Sequence, residues 1–281
     1  MDSSEMLVQR LAAFSDAGAG GNPAGVALVE RMPDERAMRR LAAEIGYSET
    51  AFAHPHDGAW RVRYFSPESD VPFCGHATIA LGAALAMHEG DATFELRLNE
   101  ATITVDGRTG GDAGPSASLL SPRTSNASAE AALVDRALGL FGLARNDLDP
   151  ALPPLVASAG ATHLILALRT REALAAMAYD LDAGRDLMNV AGLVTIALVH
   201  ARGPDDYDAR NAFASGGVVE DPATGAAAAA FAGALRDRGL RGAAPMTIVQ
   251  GEDMGSRSVI VAEPSAGPGE PVRVSGAVRP L

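Results

Sequence analysis

Three short segments carry residue types that could bind a small anion or move a proton. Residues 48–50 (Ser-Glu-Thr) place a carboxylate directly before an apolar run. Residues 73–76 (Phe-Cys-Gly-His) and 220–225 (Glu-Asp-Pro-Ala-Thr-Gly) each lead through a glycine into a helix-forming run of small residues. A helix N-terminus offers free N–H groups to a carboxylate, and glycine lets a ligand approach the backbone closely. We therefore expect both helix starts to bind a carboxylate.

Glu49 is the candidate proton carrier within these segments. Burial of a carboxylate in a cleft favours its protonated form, so such a group can exchange protons near neutral pH. Two alternatives stay open on spacing alone. Glu49 could be a solvated side chain between a helix and a strand, and Asp221 and Thr224 could be ordinary helix caps.

The basic residues and the thiol of the chain exclude several kinds of chemistry. All 23 of the Lys+Arg positions are arginine, so a lysine Schiff base and a lysine-bearing phosphate loop are excluded. Cys74 is the single cysteine, which excludes an internal disulfide, a CxxC zinc site and any mechanism with two thiols. His54 and His56 have no third ligand at suitable spacing, so we expect a surface loop there and no metal.

Composition points to a soluble globular protein. The chain has 281 residues, 47% of them hydrophobic, and a formal net charge of −12. Such a charge opposes binding to nucleic acid or to anionic membrane surfaces. No apolar run reaches the roughly 18–20 residues that span a bilayer, and no signal peptide is evident. We expect a cytoplasmic protein with no nucleic-acid or membrane partner.

Local patterns predict alternating strands and helices that position these segments. Helices are expected after Pro33 and Asp34, over residues 76–88 and 130–143, around 172–188, and over 225–235. The polar, proline-bearing run between residues 120 and 130 is the best linker candidate. Sliding the sequence on itself by 150 positions superposes Gly75 on Gly225 and Leu85 on Leu235, which indicates two halves with one plan.

Several motifs, in order along nearly the whole chain, resemble the phenazine-biosynthesis PhzF-like isomerase family. They are residues 20–26 (GGNPAGV), 48–52 (SETAF), 63–67 (RYFSP) leading to 74–78 (CGHAT), 210–213 leading to 220–225 (EDPATG), and 250–255 (QGEDMG).

This resemblance implies the fold of diaminopimelate epimerase. That fold is an α/β (α+β) arrangement of two similar domains, each a curved, mostly antiparallel sheet around a central helix, with the active site in the cleft between them. We expect domains at residues 1–122 and 123–270, with the last strand, about 271–281, a candidate to join the first domain. The family resemblance further implies a homodimer and no cofactor.

The resemblance also assigns roles to individual residues. Related epimerases use two cysteines, and here the first position is Cys74 but the second is Thr224. The acid/base of PhzF-like enzymes maps instead onto Glu49, with His76 and Asp221 as the other catalytic positions. Substrate contacts are implied at Asn22, Cys74, Gly75, Thr224, Gly225 and Ala226.

Two departures lie at the expected substrate wall. Ala226 stands where the family often has serine, and Ser215 stands where a proline commonly follows Phe-Ala. We therefore predict a cofactor-independent isomerase that moves a proton between carbons of a small carboxylate, on a substrate that the sequence does not name. The alternatives are a catalytically silent binding protein on the same scaffold, and an epimerase that uses Cys74 with a non-cysteine partner.

Overall fold

The computed structural model describes residues 7–111 and 114–281. The chain divides into two compact units. The first unit consists of Met1–Leu119 together with Ser275–Leu281, and the second unit is Leu120–Val274. Among the described residues, no helix is both long and apolar enough to cross a membrane.

The first unit is a mostly antiparallel sheet with two helices. Its elements are β1 (Gln9–Ser15), β2 (Asn22–Leu28), α1 (Glu35–Ile45), β3 (Thr50–His56), β4 (Ala59–Phe65), β5 (Asp70–Val71), α2 (Gly75–Glu89), β6 (Ala92–Arg97), β7 (Thr102–Arg108) and β8 (Ser116–Leu120). Only the pairs β2–β3 and β4–β6 are parallel among the described pairings of these strands. The last strand of the chain, β17 (Val272–Pro280), pairs antiparallel with β1.

Helix α2 is the central helix of the first unit. It is apolar on all sides, with eleven of its residues buried, and it contacts strands β1, β2, β3, β6 and β7. A helix that is hydrophobic all round requires a buried position. Gly82 lets α2 approach the sheet closely, because an added Cβ there would come within 2.5 Å of a methyl carbon of Val105.

The second unit repeats this order of elements with two helices added, Ala131–Leu140 and Arg171–Ala175. It contains β9 (Ser125–Ser128), α3 (Ala131–Leu140), β10 (Leu155–Ser158), β11 (Thr162–Ala167), α4 (Arg171–Ala175), α5 (Leu181–Ala191), β12 (Thr195–Ala201), β13 (Asp206–Ala212), β14 (Glu220–Asp221), α6 (Gly225–Asp237), β15 (Met246–Gln250) and β16 (Ser258–Pro264). The pairs β11–β12 and β13–β15 are parallel, as β2–β3 and β4–β6 are in the first unit.

The sheet of the second unit is covered on both faces. One face carries a core that joins leucines of β11 and β12 to residues of α3 and α5, and Ala212 belongs to it. The alternate residues of the same strands, among them His163, Thr195 and Asn211, lie on the other face. Helix α6 contacts strands β9, β10, β11 and β16 and is the central helix here.

The structure differs from two local predictions. The run between residues 120 and 130 is not a plain linker, since β9 forms there and pairs antiparallel with β10. The histidines His54 and His56 do not lie in a loop, because β3 extends to His56 and pairs with β4. In both places a partner strand supplies hydrogen bonds that the short polar sequence does not reveal.

Candidate active site

Glu49 is positioned by the end of α1 and by β2. Helix α1 stops at Gly46, which has φ +74° and donates its N–H to Ala42, so the chain turns directly into the Ser48-Glu49-Thr50 segment. The Glu49 carbonyl accepts a hydrogen bond of 3.1 Å from the N–H of Gly25. A Cβ at Gly25 would come within 2.7 Å of the Thr50 hydroxyl, so only glycine permits this approach.

His76 lies at the centre of a cluster in the first unit. Its Nε2 is 3.4 Å from the Glu49 Oε2 and 3.4 Å from the Ser48 Oγ, and its Nδ1 is 3.3 Å from the Cys74 Sγ. The His76 side chain is buried, and that of Glu49 is 18% exposed. The carboxylate is therefore held by the imidazole and still reaches solvent or a ligand.

Two hydroxyl groups stabilise the start of α2. The Thr78 hydroxyl donates to the Cys74 carbonyl at 2.7 Å, and the Tyr64 hydroxyl lies 2.7 Å from the Thr78 Oγ1. Because Thr78 donates to the carbonyl, Tyr64 is the donor in the second bond. Burial raises the pKa of Tyr64 far above its ordinary value, so this donor stays protonated.

A similar turn in the second unit places Asp221 and Thr224 before α6. Strand β14 pairs with β13, with Asp221 opposite Asn211 and Glu220 opposite Ala212. The Thr224 hydroxyl donates a short hydrogen bond to the Asp221 Oδ2. It makes no capping bond to the helix, so the alternative that these residues are ordinary caps does not hold for Thr224.

Gln250 completes the turn and is not among the predicted site residues. Its Nε2 donates to the Asp221 carbonyl at 2.6 Å and to the Thr224 Oγ1 at 3.1 Å, and its Oε1 accepts from the Thr224 N–H. The motif QGEDMG contains this residue, and the preceding strand is a regular β-strand that ends in it. A glutamine within this motif, at the end of a predicted strand, is the sequence signal that could have identified it.

An arginine and a carboxylate brace each of the two turns. Arg63 contacts Asp70 at 2.6 Å before α2, and Arg210 contacts Glu220 at 2.6 Å before α6. Arg210 also donates to the carbonyls of Ala175 and, at 3.2 Å, the neighbouring Met177. Charge-assisted contacts of this kind fix the turn against the strand that precedes it.

The remaining predicted site residues are distributed between the units. Asn22 is buried at the start of β2, opposite Ala13 of β1 in the first unit. Gly225 and Ala226 begin α6 in the second unit and are partly exposed. Neither α2 nor α6 has a side-chain cap on its first N–H groups, so both leave backbone donors for an anion.

One cluster has donors that could hold a metal ion. Ligand atoms of Glu49, Cys74 and His76 lie within 4.8 Å of one another, a set that zinc accepts. The cluster adjoins the N-terminus of α2, whose partial positive charge favours anions over cations. The first-unit cluster is therefore better suited to an anionic ligand and to proton transfer.

Comparison with known proteins gives consistent matches over the whole chain. A family model described as "Phenazine biosynthesis-like protein" (PhzC-PhzF) matches residues 11–278. An uncharacterized isomerase of Deinococcus radiodurans is 32% identical over 267 residues, covering 90% of this chain and 85% of that protein. The resemblance predicted from the motifs is confirmed.

Solved structures agree with the predicted fold. A Pseudomonas aeruginosa protein described as a predicted epimerase is similar at a TM-score of 0.83 and 28% identity, covering 99% of this chain and 97% of that one. A PhzF-family protein of Bacillus anthracis has a TM-score of 0.85 at 19% identity, covering 98% and 96%, and shows the fold alone. The predicted fold class is confirmed.

Proposed function

The chain belongs to the phenazine biosynthesis-like family, and from this premise we propose that it is an isomerase that moves a proton between two carbons of a small carboxylate. The observation that carries the proposal is the 3.4 Å contact between Glu49 and His76 beside the uncapped start of α2. This arrangement puts a proton acceptor, a group that orients it and backbone donors in one place.

Glu49 is the proposed acid and base. Its carboxylate takes a proton from one carbon, the electron pair of the broken C–H bond moves into the conjugated substrate, and the resulting carboxylic acid returns the proton to another carbon. The reaction is balanced without a redox partner, so the proposal includes no cofactor. His76 orients the Glu49 carboxylate, and general acid–base catalysis of this kind contributes about 10²–10⁴ in rate.

The backbone donors and the second-unit turn are the proposed binding groups. The N–H groups at the start of α2 bind the substrate carboxylate and stabilise the negative charge that develops as the proton leaves, and those at the start of α6 are a second proposed anion-binding group. Asp221, held by Thr224 and Gln250, binds a polar group of the substrate. Asn22, Gly75 and Ala226 line the proposed substrate site.

Hydrogen exchange tests this function directly. Dihydro-hydroxyanthranilate and related carboxylates are incubated with the protein in heavy water, and deuterium at carbon is measured by mass spectrometry. We expect incorporation at carbon with at least one of them, and a loss of about 10³-fold in Glu49→Gln. Exchange that persists undiminished in Glu49→Gln would overturn the assignment of the base. Binding without exchange in any compound would favour a catalytically silent binding protein.

Cys74 supports a second candidate, because its Sγ lies 3.3 Å from the His76 Nδ1. In an epimerase, the thiol and a non-cysteine group would act on opposite faces of one carbon. Such an enzyme would be inactivated by iodoacetamide, protected by its substrate, and inactive as Cys74→Ser. The isomerase proposal predicts instead that Cys74→Ser keeps at least a tenth of the exchange rate.

A further inference from the structure

Asn211 is a buried amide with no protein partner. Its side chain is 1% exposed, and neither Oδ1 nor Nδ2 makes a hydrogen bond to any other described residue. The great majority of buried side-chain polar atoms in proteins do have a partner. An amide with both of its polar atoms unpartnered therefore needs an explanation, and a bound ligand is one.

The position of Asn211 points to the proposed substrate site. It lies opposite Asp221 in the antiparallel pair β13–β14, so the two side chains lie on the same face of the sheet. Gln250 lies opposite Ala209 of β13, which places it on that face as well. The neighbour of Asn211 on the other side is Ala197, which has no polar side-chain atom.

In the first unit, the equivalent position holds a polar side chain that does have a hydrogen-bond partner. Tyr64 lies opposite Val71 in β4–β5, as Asn211 lies opposite Asp221 in β13–β14. The Tyr64 hydroxyl is satisfied by Thr78, the fourth residue of α2. The fourth residue of α6 is Ala228, which offers no polar side-chain partner to Asn211. The buried polar side chain at this position therefore has a hydrogen-bond partner in the first unit, whereas the described residues provide none in the second.

We propose that Asn211 is a specificity-determining residue that hydrogen-bonds an amino or hydroxyl group of the carboxylate substrate. This inference rests on the proposed function. Side chains directly opposite each other in an antiparallel pair have Cβ atoms about 5 Å apart, so a substrate group bound to Asp221 comes within reach of the amide. An amide both donates and accepts, which suits a neutral hydroxyl or amine better than a second carboxylate.

Calorimetric titration with three probes tests the proposal. Benzoate, 2-aminobenzoate and 2-hydroxybenzoate share a ring and a carboxylate and differ by one polar group. We expect the wild type to bind at least one substituted probe about tenfold more tightly than benzoate. In Asn211→Leu, which has the same branching and the same number of side-chain heavy atoms, this preference should fall below twofold while the affinity for benzoate stays within twofold.

Two further variants serve as controls. His163→Leu replaces another buried polar side chain on the same face of the sheet, but on β11, two strands from β13, so it should keep the tenfold preference. Asn211→Ser retains a donor and an acceptor on a shorter side chain and should keep part of the preference. Thermal unfolding verifies that each variant folds, and if Asn211→Leu does not fold, Asn211→Val is judged by the criterion set for Asn211→Leu.

The outcomes separate this inference from the proposed function. A wild type without preference among the probes, or a preference that Asn211→Leu retains, would overturn the role of Asn211 and indicate an amide satisfied by water. A wild type that binds none of the probes would count against carboxylate binding itself, and the inference would fall with it.

Discussion

The two units use one order of strands and helices but carry different chemical groups at equivalent positions. Thr50 begins β3 beside Gly25, and Thr195 begins β12 beside His163, in equivalent parallel pairs. The residue before each threonine is Glu49 in the first unit and Val194 in the second. The second residue of the central helix is His76 in one unit and Ala226 in the other.

The carboxylate of the second unit lies at another place in the same plan. Asp221 ends β14, where the first unit has Val71 at the end of β5. The two units therefore differ in where their candidate catalytic carboxylates lie: Glu49 directly precedes β3, and Asp221 ends β14. The repeated scaffold thus offers equivalent positions in both units, and under the proposed function single residue differences decide which unit carries the proton chemistry.

The largest effect is expected when the two carboxylates are neutralised separately. Glu49→Gln should lower the rate of deuterium incorporation about 10³-fold, which corresponds to about 4 kcal/mol in activation free energy. Asp221→Asn should lower it only about tenfold, because it removes a binding group. An equal or larger loss in Asp221→Asn would place the proton carrier in the second unit.

The two arginine braces should differ in their contribution to stability. Arg210 and Glu220 are both nearly buried, and Arg210 also serves two backbone carbonyls, so Arg210→Leu should lower the free energy of unfolding by about 3–5 kcal/mol. Arg63 and Asp70 are more exposed, and Arg63→Leu should cost about 1 kcal/mol. Urea unfolding measures both, and equal losses would show that burial does not separate the two braces.

His163 should make the free energy of unfolding depend on pH. Gly25, its counterpart in the first unit, has no side chain that titrates. Burial lowers the pKa of His163 to about 4, against about 6.5 in the unfolded chain. The unfolded chain binds the proton more readily than the folded protein does. The stability that depends on a neutral His163 is therefore complete above pH 6.5 and is lost as the pH falls toward 4.

Unfolding at two pH values measures this contribution. Between pH 7 and pH 5 the wild type should lose about 2 kcal/mol more than His163→Leu. The variant also cancels the effects of the other titrating groups, which the two proteins share. Identical losses in both proteins would mean that His163 does not titrate as a buried neutral imidazole.

The smallest effect is expected from the hydrogen bond between Tyr64 and Thr78 in the first unit. Thr78→Val keeps the shape of the side chain but leaves the buried Tyr64 hydroxyl without its partner, at a cost of about 1–2 kcal/mol. Thr78→Ser retains the hydroxyl and should cost less than half as much. If both variants unfold at the same urea concentration, the hydrogen bond does not stabilise the first unit.

The central helices could be predicted from the sequence because their composition is unusual. Residues 76–88 and 225–235 were expected to be helical, and α2 and α6 extend over Gly75–Glu89 and Gly225–Asp237. Long runs of small and apolar residues after a glycine suit a buried helix and leave little ambiguity. Strand β9 was missed because its short polar sequence becomes a strand only through pairing with the distant β10.

The candidate site was predictable only in part. Motifs identified Glu49, Cys74 and His76, but their contacts depend on how β3 and α2 pack, which spacing along the chain does not give. Gln250 and Asn211 were missed for a related reason. The neighbours of each residue are set by the pairing of its strand with another, and this register depends on segments far apart in the sequence.

The pairing of β1 with β17 affects the order in which the protein folds as it is made. Residues Leu11 to Ser15 pair with residues 277–280, so an edge of the first unit stays open until the ribosome has passed the second unit and synthesised those residues. The second unit is a continuous segment and can close earlier. Domains usually fold from the N-terminus during synthesis. We expect the opposite order here, with the nascent first unit exposing an unpaired strand edge while the second unit is translated.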